Sequence, residues 1–202
     1  MTERSANKPD ESLRRVLAQQ QDRRGFMRTA ATLAVALGVP ATAFSATALD
    51  RSMLHDANIP RSVPFKPGWF RLNNGQNSEV DLNGLADGGA IVNLWATWCQ
   101  PCAVEMPSLI ALAKTVSIYG INFLPIACDS GGAAAVKAFY ARHEVVGLPV
   151  LTCPDNTAFA AFRASVLPHT SIVRSDGFVV ASISGAVNWS NVNPLDIRRL
   201  AQ

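Results

Sequence analysis

The chain has 202 residues, 49% of them hydrophobic and only 16% charged, enough apolar material for one domain with a substantial core. Its net charge of +3 comes entirely from the first 48 residues, since acidic and basic groups balance from Leu49 onward. No dense Lys/Arg stripe follows that segment, so the basic balance carries no phosphate-backbone footprint and nucleic acid is not an expected partner.

The N-terminal segment has its own order. Arg23-Arg24-Gly25-Phe26-Met27-Arg28 precedes an apolar run, Thr29 to Ala48, that ends in the small-residue sequence Phe44-Ser45-Ala46-Thr47-Ala48. Paired arginines, an apolar stretch and a small-residue exit are the features of a twin-arginine export signal. An amphipathic helix fits poorly, because the run offers no charged face to water. Retention as an anchor stays open beside cleavage, since a helix of this length spans roughly 30 Å of hydrocarbon. Residues 1–48 are therefore read as a signal peptide or anchor. The rest is expected in the periplasm, soluble after cleavage or tethered to the inner membrane.

Residues 49–68, with Pro60, Pro64 and Pro67, read as an irregular lead-in to a domain over 69–202. Phe70 to Asp81 forms a hairpin pattern around Asn73-Asn74-Gly75. Ala90–Trp95 is a buried-strand candidate, followed by a helix through Met106–Val116. Ile121–Ala127 is a second buried strand, and Ala133–His143 a helix. Leu148–Thr152 reads as a short strand and Thr157–Arg163 as a brief helix. Two strands, Thr170–Arg174 and Phe178–Ser182, flank the turn Ser175-Asp176-Gly177. A final helix covers Val192–Leu200. Alternating strands and helices with a terminal hairpin give an α/β fold with a mixed central sheet flanked by helices.

Four cysteines, Cys99, Cys102, Cys128 and Cys153, are too few to hold a chain of this length as a disulfide scaffold. They suit a redox pair plus two others. In Trp98-Cys99-Gln100-Pro101-Cys102 the two cysteines are separated by two residues, after a strand and at the start of a helix. The first thiolate then sits over unpaired backbone N–H groups, and these amides with the helix dipole lower its pKa. Cys99 is the expected nucleophile. Cys102, one turn later and more enclosed, resolves the mixed disulfide. Pro101 is tolerated because first-turn N–H groups have no internal acceptor. Structural zinc needs four ligands, whereas the other cysteines stand alone and His55, His143 and His169 have no ligand spacing. No metal and no cofactor is expected.

Residues 91–109, IVNLWATWCQPCAVEMPSL, resemble the active-site region of the membrane-associated or periplasmic thioredoxin-like disulfide reductases of the TlpA/ResA type. The resemblance continues through Leu148-Pro149-Val150-Leu151, Pro154-Asp155, Val166-Leu167-Pro168, Asp176-Gly177, Gly185 and Trp189. It implies a thioredoxin-like fold in which Pro168 is cis and faces the disulfide, exposing the Leu167 backbone to substrate. It also implies that Glu105, one turn after Cys102, handles protons, because the buried aspartate of general thioredoxins is matched here by Asn93. The plain alternative for Glu105 is a solvated glutamate in the first helical turn. Trp98 is expected to shield Cys99 and border the docking surface, while Trp95 packs in the core. Gln100 and Pro101 tune the couple, and His169 departs from the threonine often found after the proline, which makes it a candidate for redox tuning or for simple packing.

Cys128 and Cys153 each close a strand. Two separate thiols, at least one of them buried, are the expectation; if those strands are parallel neighbours, a second disulfide is a geometrically conceivable alternative. The expected activity is reduction of protein disulfides, as in cytochrome c maturation or copper-site assembly. Its expected partners are protein thiols or disulfides, such as an apocytochrome c or a copper-site protein, and a membrane thiol-reductant transporter. A periplasmic thiol oxidase for folding and a non-catalytic thioredoxin-like binding module are the alternatives. A peroxidase of this fold places its reactive cysteine in a different Pro/Thr-rich loop, which WCQPC does not match.

Overall fold

Ala90–Trp95 is apolar at every position but Asn93, so a strand here needs cover on both faces. A computed structural model of the chain describes residues 55–56, 61–68, 70–73, 77–80 and 88–202. The leader expected over residues 1–48 lies outside them. The strands are β1 (His55–Asp56), β2 (Arg61–Phe65), β3 (Phe70–Asn73), β4 (Asn77–Val80), β5 (Ala90–Trp95), β6 (Asn122–Ala127), β7 (Leu151–Thr152), β8 (His169–Val173), β9 (Val179–Ser184) and β10 (Val187–Asn188). The helices are α1 (Gln100–Val116), α2 (Gly132–Arg142), α3 (Thr157–Ala161) and α4 (Pro194–Ala201).

β5 is buried at all six positions, parallel to β6 on one side and antiparallel to β8 on the other. The eight-stranded sheet has the order β2-β9-β8-β5-β6-β7-β3-β4, and β1 pairs separately with β10. The parallel β5–β6 pair is linked through α1. The β8–β9 pair is an antiparallel hairpin whose turn uses Gly177 at φ 85°, a conformation that favours glycine. This is the thioredoxin-like α/β architecture, a mixed sheet flanked by helices.

Alternation along β5 divides the core into two faces. Ile91 packs with Leu109, Leu112 and Val116 of α1 and with Phe123 and Ile172. Trp95, on the same face, meets Phe139 and Tyr140 of α2 at ring-centroid distances of 4.9 and 5.8 Å. Val92 and Leu94 point the other way, against Leu124, Ile126, Leu151 and Phe162. The stretch Gln100–Tyr119 is long and apolar enough to cross a membrane by length and composition. Here that apolarity serves the sheet, since α1 buries Leu109, Leu112 and Val116 against it.

Two elements differ from the sequence reading. The stretch 49–68, expected to be irregular, contributes β2, an edge strand antiparallel to β9. Pro64 obscures it in sequence but is compatible with an edge, where one N–H need not enter the ladder. The strand expected over Leu148–Thr152 is confined to Leu151–Thr152. Pro149 has no N–H to give, so parallel pairing with β6 begins only beyond it.

Trp95 holds the end of β5 against α2 directly ahead of the cysteine loop. Trp95→Ala should cost about 3–5 kcal/mol, through lost burial and the cavity it leaves. Urea denaturation of the oxidised chain checks this, and a loss below about 1 kcal/mol would contradict the packing described.

Candidate active site

β5 ends at Trp95 and α1 begins at Gln100, so the chain turns from sheet to helix within Ala96–Cys99. The Cys99 N–H donates to the Ala96 carbonyl at 3.1 Å and closes that turn. Cys99 then caps α1 from an extended conformation, φ −84° and ψ 98°, and its Sγ accepts the Cys102 N–H at 3.3 Å. Pro101 sits in the first helical turn. Cys99 and Cys102 are joined as a disulfide with their Cα atoms 5.3 Å apart. Cys99 keeps 6% of its surface exposed and Cys102 none. That asymmetry leaves Cys99 as the member of the pair with some exposed surface. Gln100 is exposed beside it, and Pro101 half-buried.

The Leu167–Pro168 peptide bond is cis. The Pro168 carbonyl accepts the Gly185 N–H at 2.9 Å, fixing the proline to the end of the β8–β9 hairpin. Leu167 packs against the cluster that contains Cys99 and Cys102. Trp98 is 70% exposed. A groove of about 480 Å³ runs past both, lined by Trp98, Cys128, Asn156, Phe159, Ser165, Val166 and Leu167. Its walls carry no Asp, Glu, Lys or Arg. Trp98 and Leu167, the two residues expected to border a docking surface, both line this groove, which is lined by Cys128 but by neither cysteine of the disulfide.

Glu105 is not the solvated first-turn glutamate of the plain alternative: only 1% of it is exposed. Oε1 accepts Asn93 Nδ2 at 2.9 Å, and Oε2 accepts the Val187 N–H at 2.9 Å and Trp189 Nε1 at 3.4 Å. Burial pushes its pKa up to about 7, against the opposing pull of the Val187, Trp189 and Asn93 donors. Asn93 Nδ2 also donates to Thr170 Oγ1 at 2.9 Å, so β5, β8 and α1 share one polar link inside the core. Among the described residues no hydrogen bond joins Glu105 to either cysteine of the disulfide.

His169 is buried on the opposite face. Its Nδ1 lies 2.9 Å from Ser184 Oγ and its Nε2 3.2 Å from Ser171 Oγ, which is itself 3.0 Å from Ser182 Oγ. Burial lowers its pKa from the ordinary imidazole value, opposed by a bond to the Phe162 backbone.

The second disulfide considered between Cys128 and Cys153 is absent: both are buried free thiols. The strands are parallel neighbours, with Ala127 opposite Thr152, but the Cys153 sulfur is engaged locally. It accepts the Ala158 N–H at 3.2 Å, donates to Asp155 Oδ1 at 3.3 Å and lies 3.4 Å from Thr157 Oγ1. Burial, then the neighbouring Cys153 and Asp129, push the Cys128 thiol up to about 12. Burial likewise raises Cys153. Among the described residues, no group of three or more His, Cys, Asp or Glu side chains could hold a metal ion.

The AhpC/TSA family matches residues 67–182, more than half of the chain. The chain belongs to the AhpC/TSA family. Among its curated relatives, the thiol-disulfide oxidoreductase ResA of Bacillus subtilis is 23% identical over 174 residues, 86% of this chain and 92% of that protein. The thiol:disulfide interchange protein DsbE of Pseudomonas aeruginosa is 34% identical over 112 residues, 55% of this chain and 57% of that protein. Among solved structures, a DsbE-type thiol:disulfide interchange protein from Chlorobium tepidum superposes with a TM-score of 0.54 at 18% identity, covering 70% of this chain and 94% of its own. A thioredoxin family protein from Chlorobium tepidum TLS gives 0.51 at 21% identity, with 69% and 97% covered. At those identities the structures carry the fold alone. Together with the relatives, they make this AhpC/TSA member a thioredoxin-fold protein related to ResA- and DsbE-type thiol–disulfide oxidoreductases, with a redox-active cysteine pair.

Several contacts of this site have no local sequence signature. The partners of Glu105 at Val187 and Trp189 lie 82 and 84 positions away. Asn156 and Phe159 reach the groove from the α3 region, and Asp129 grips the cysteine loop from the end of β6. A carboxylate following a buried strand was the one available hint for Asp129.

Because the folded pKa of Glu105 is raised, its protonated form stabilises the fold at low pH, and that stabilisation is lost as pH rises through about 7. The stability difference between the oxidised wild type and Glu105→Gln should therefore fall by roughly 3 kcal/mol between about pH 4.5 and pH 7. Urea denaturation across that range measures it, and a difference independent of pH would contradict the buried carboxyl.

Proposed function

We propose that this chain is an exported protein disulfide reductase working through Cys99 and Cys102. The observation that carries the reading is the placement of Cys99. Its sulfur caps α1, the residue keeps a little exposure, and it lies in a cluster with Leu167, which also lines an uncharged groove. That combination supplies a stabilised thiolate and a surface for an extended polypeptide at the same point.

In the reduced enzyme, the Cys99 thiolate attacks one sulfur of a substrate disulfide. A mixed disulfide forms, and the other substrate sulfur leaves as a thiolate that takes up a proton. Cys102 then loses its proton and attacks Cys99 Sγ, expelling the second substrate sulfur. Two electrons have passed to the substrate, and Cys99–Cys102 is again the disulfide. Glu105, one turn along α1 from Cys102, is the proton store in this scheme, since a carboxyl with a pKa of about 7 exchanges protons readily near neutrality. Pro168 flanks the disulfide and leaves the Leu167 backbone to pair with the substrate. Trp98 covers Cys99 on the solvent side, Gln100 and Pro101 shape the first turn, and His169 tunes the couple from behind Pro168. The chemistry suits cysteines awaiting haem or copper in an oxidising compartment. A membrane thiol-reductant transporter restores the dithiol.

Two variants test this. The purified wild-type chain should accelerate reduction of insulin by dithiothreitol, and Cys99→Ser should fall to the rate of dithiothreitol alone. Equal activity in the two would exclude the reductase and leave a binding module. Cys102→Ala should trap partners on Cys99 as stable mixed disulfides. Capture of cytochrome or copper-site precursors supports reduction, whereas capture mainly of unfolded exported chains would favour the oxidase.

A further inference from the structure

The loop that delivers Cys99 has an anchor outside its own elements. Asp129 follows the end of β6 and is 4% exposed. Its Oδ2 accepts the Thr97 N–H at 3.0 Å and also the Thr97 hydroxyl. Its Oδ1 accepts the Gly131 N–H at 2.8 Å, and its backbone carbonyl accepts Gly132 N–H at 3.0 Å. One buried side chain thus joins the turn before α1 to the turn before α2. Burial opposes ionisation of Asp129, but the Thr97 hydroxyl, the Gly131 N–H and the Thr97 N–H together hold its pKa below the ordinary carboxylate value.

We propose that Asp129 is a positioning residue for thiol–disulfide exchange. By gripping Thr97 it fixes the Ala96–Cys99 turn, and so holds the Cys99 sulfur over the free N–H groups of α1 and Trp98 at the rim of the groove. The inference rests on Cys99 being the attacking thiol and adds what orients it. The chemistry of the clamp requires a carboxylate. Each oxygen takes a backbone N–H, and an amide has only one acceptor oxygen, so its NH₂ would confront either Thr97 or Gly131.

Charge and position give opposite signs. A nearby negative charge alone disfavours the Cys99 thiolate, so through charge alone Asp129→Asn would lower the thiol's titration midpoint. Through position, a loosened turn withdraws N–H donors from the thiolate, and the midpoint rises. Thr97→Val removes one donor to the clamp without altering any charge.

The test is the pH dependence of iodoacetamide alkylation at Cys99 in the reduced full chain, read by mass spectrometry. Asp129→Asn and Thr97→Val should each raise the midpoint by about half a pH unit or more, leaving about threefold less thiolate at pH well below the midpoint and a matching fall in the insulin-reduction rate there. Thr97→Ser, which retains the hydroxyl, should recover the wild-type midpoint. A midpoint that falls or stays fixed in Asp129→Asn or Thr97→Val overturns the proposal. If Asp129→Asn does not fold, Thr97→Val decides. An unmutated chain whose Cys99 is no more reactive than Cys128 would instead contradict the functional reading beneath the proposal.

Discussion

At the head of α1, a sulfur takes the place of the hydroxyl or carboxylate that usually accepts the first free N–H of a helix. Cys99 reaches that position because β5 stops at Trp95 and the next four residues turn directly into α1. The turn holds its place because α1 is pressed onto the sheet by Leu109, Leu112 and Val116, while Trp95 is pinned by Phe139 and Tyr140. The influence of helix amides and dipole fades within the first turn, so small displacements of Cys99 matter chemically. Core packing and thiol reactivity are therefore one problem here.

Two buried carboxyls around this junction are treated in opposite ways. Asp129 receives two backbone N–H groups and a hydroxyl, which hold it ionised. Glu105 also receives three donors, yet burial prevails and its pKa rises to about 7. One group is a fixed charge built into a loop, and the other can change its proton near neutral pH. Asn93 links Glu105 to Thr170, in the strand that begins immediately after Pro168. The free thiols behave as packing groups, since burial keeps both Cys128 and Cys153 protonated.

Much of the frame was legible because its signals are local. The apolar run Ala90–Trp95, the CxxC pair with Pro101 in the first turn, and the Asp176-Gly177 hairpin each declare themselves within a few residues. β2 was hidden by Pro64, and β7 was read too long because Pro149 removes a ladder donor without breaking the apolar pattern. The environment of Glu105 could not be read, because Val187 and Trp189 approach it only after the sheet has set its register. The same holds for Asp129, whose grip on Thr97 spans 32 positions. Cys153 shows the reverse limit. Its strand-end position left a bridge to Cys128 conceivable beside the expected separate thiols, and the nearby Thr157 and Ala158 that partner its sulfur come from the helix that follows.

The central claim is that Cys99 and Cys102 form a reversible redox couple in the folded protein. A titration in dithiothreitol buffers, quenched with an alkylating agent and read by mass spectrometry, tests it most directly. Cys99 should become alkylatable in a single two-electron transition under native conditions, with the buried Cys102 alkylated in step once the quenched chain is denatured. A Cys99–Cys102 disulfide that opens only when the chain unfolds would be a structural bridge, and would contradict the account.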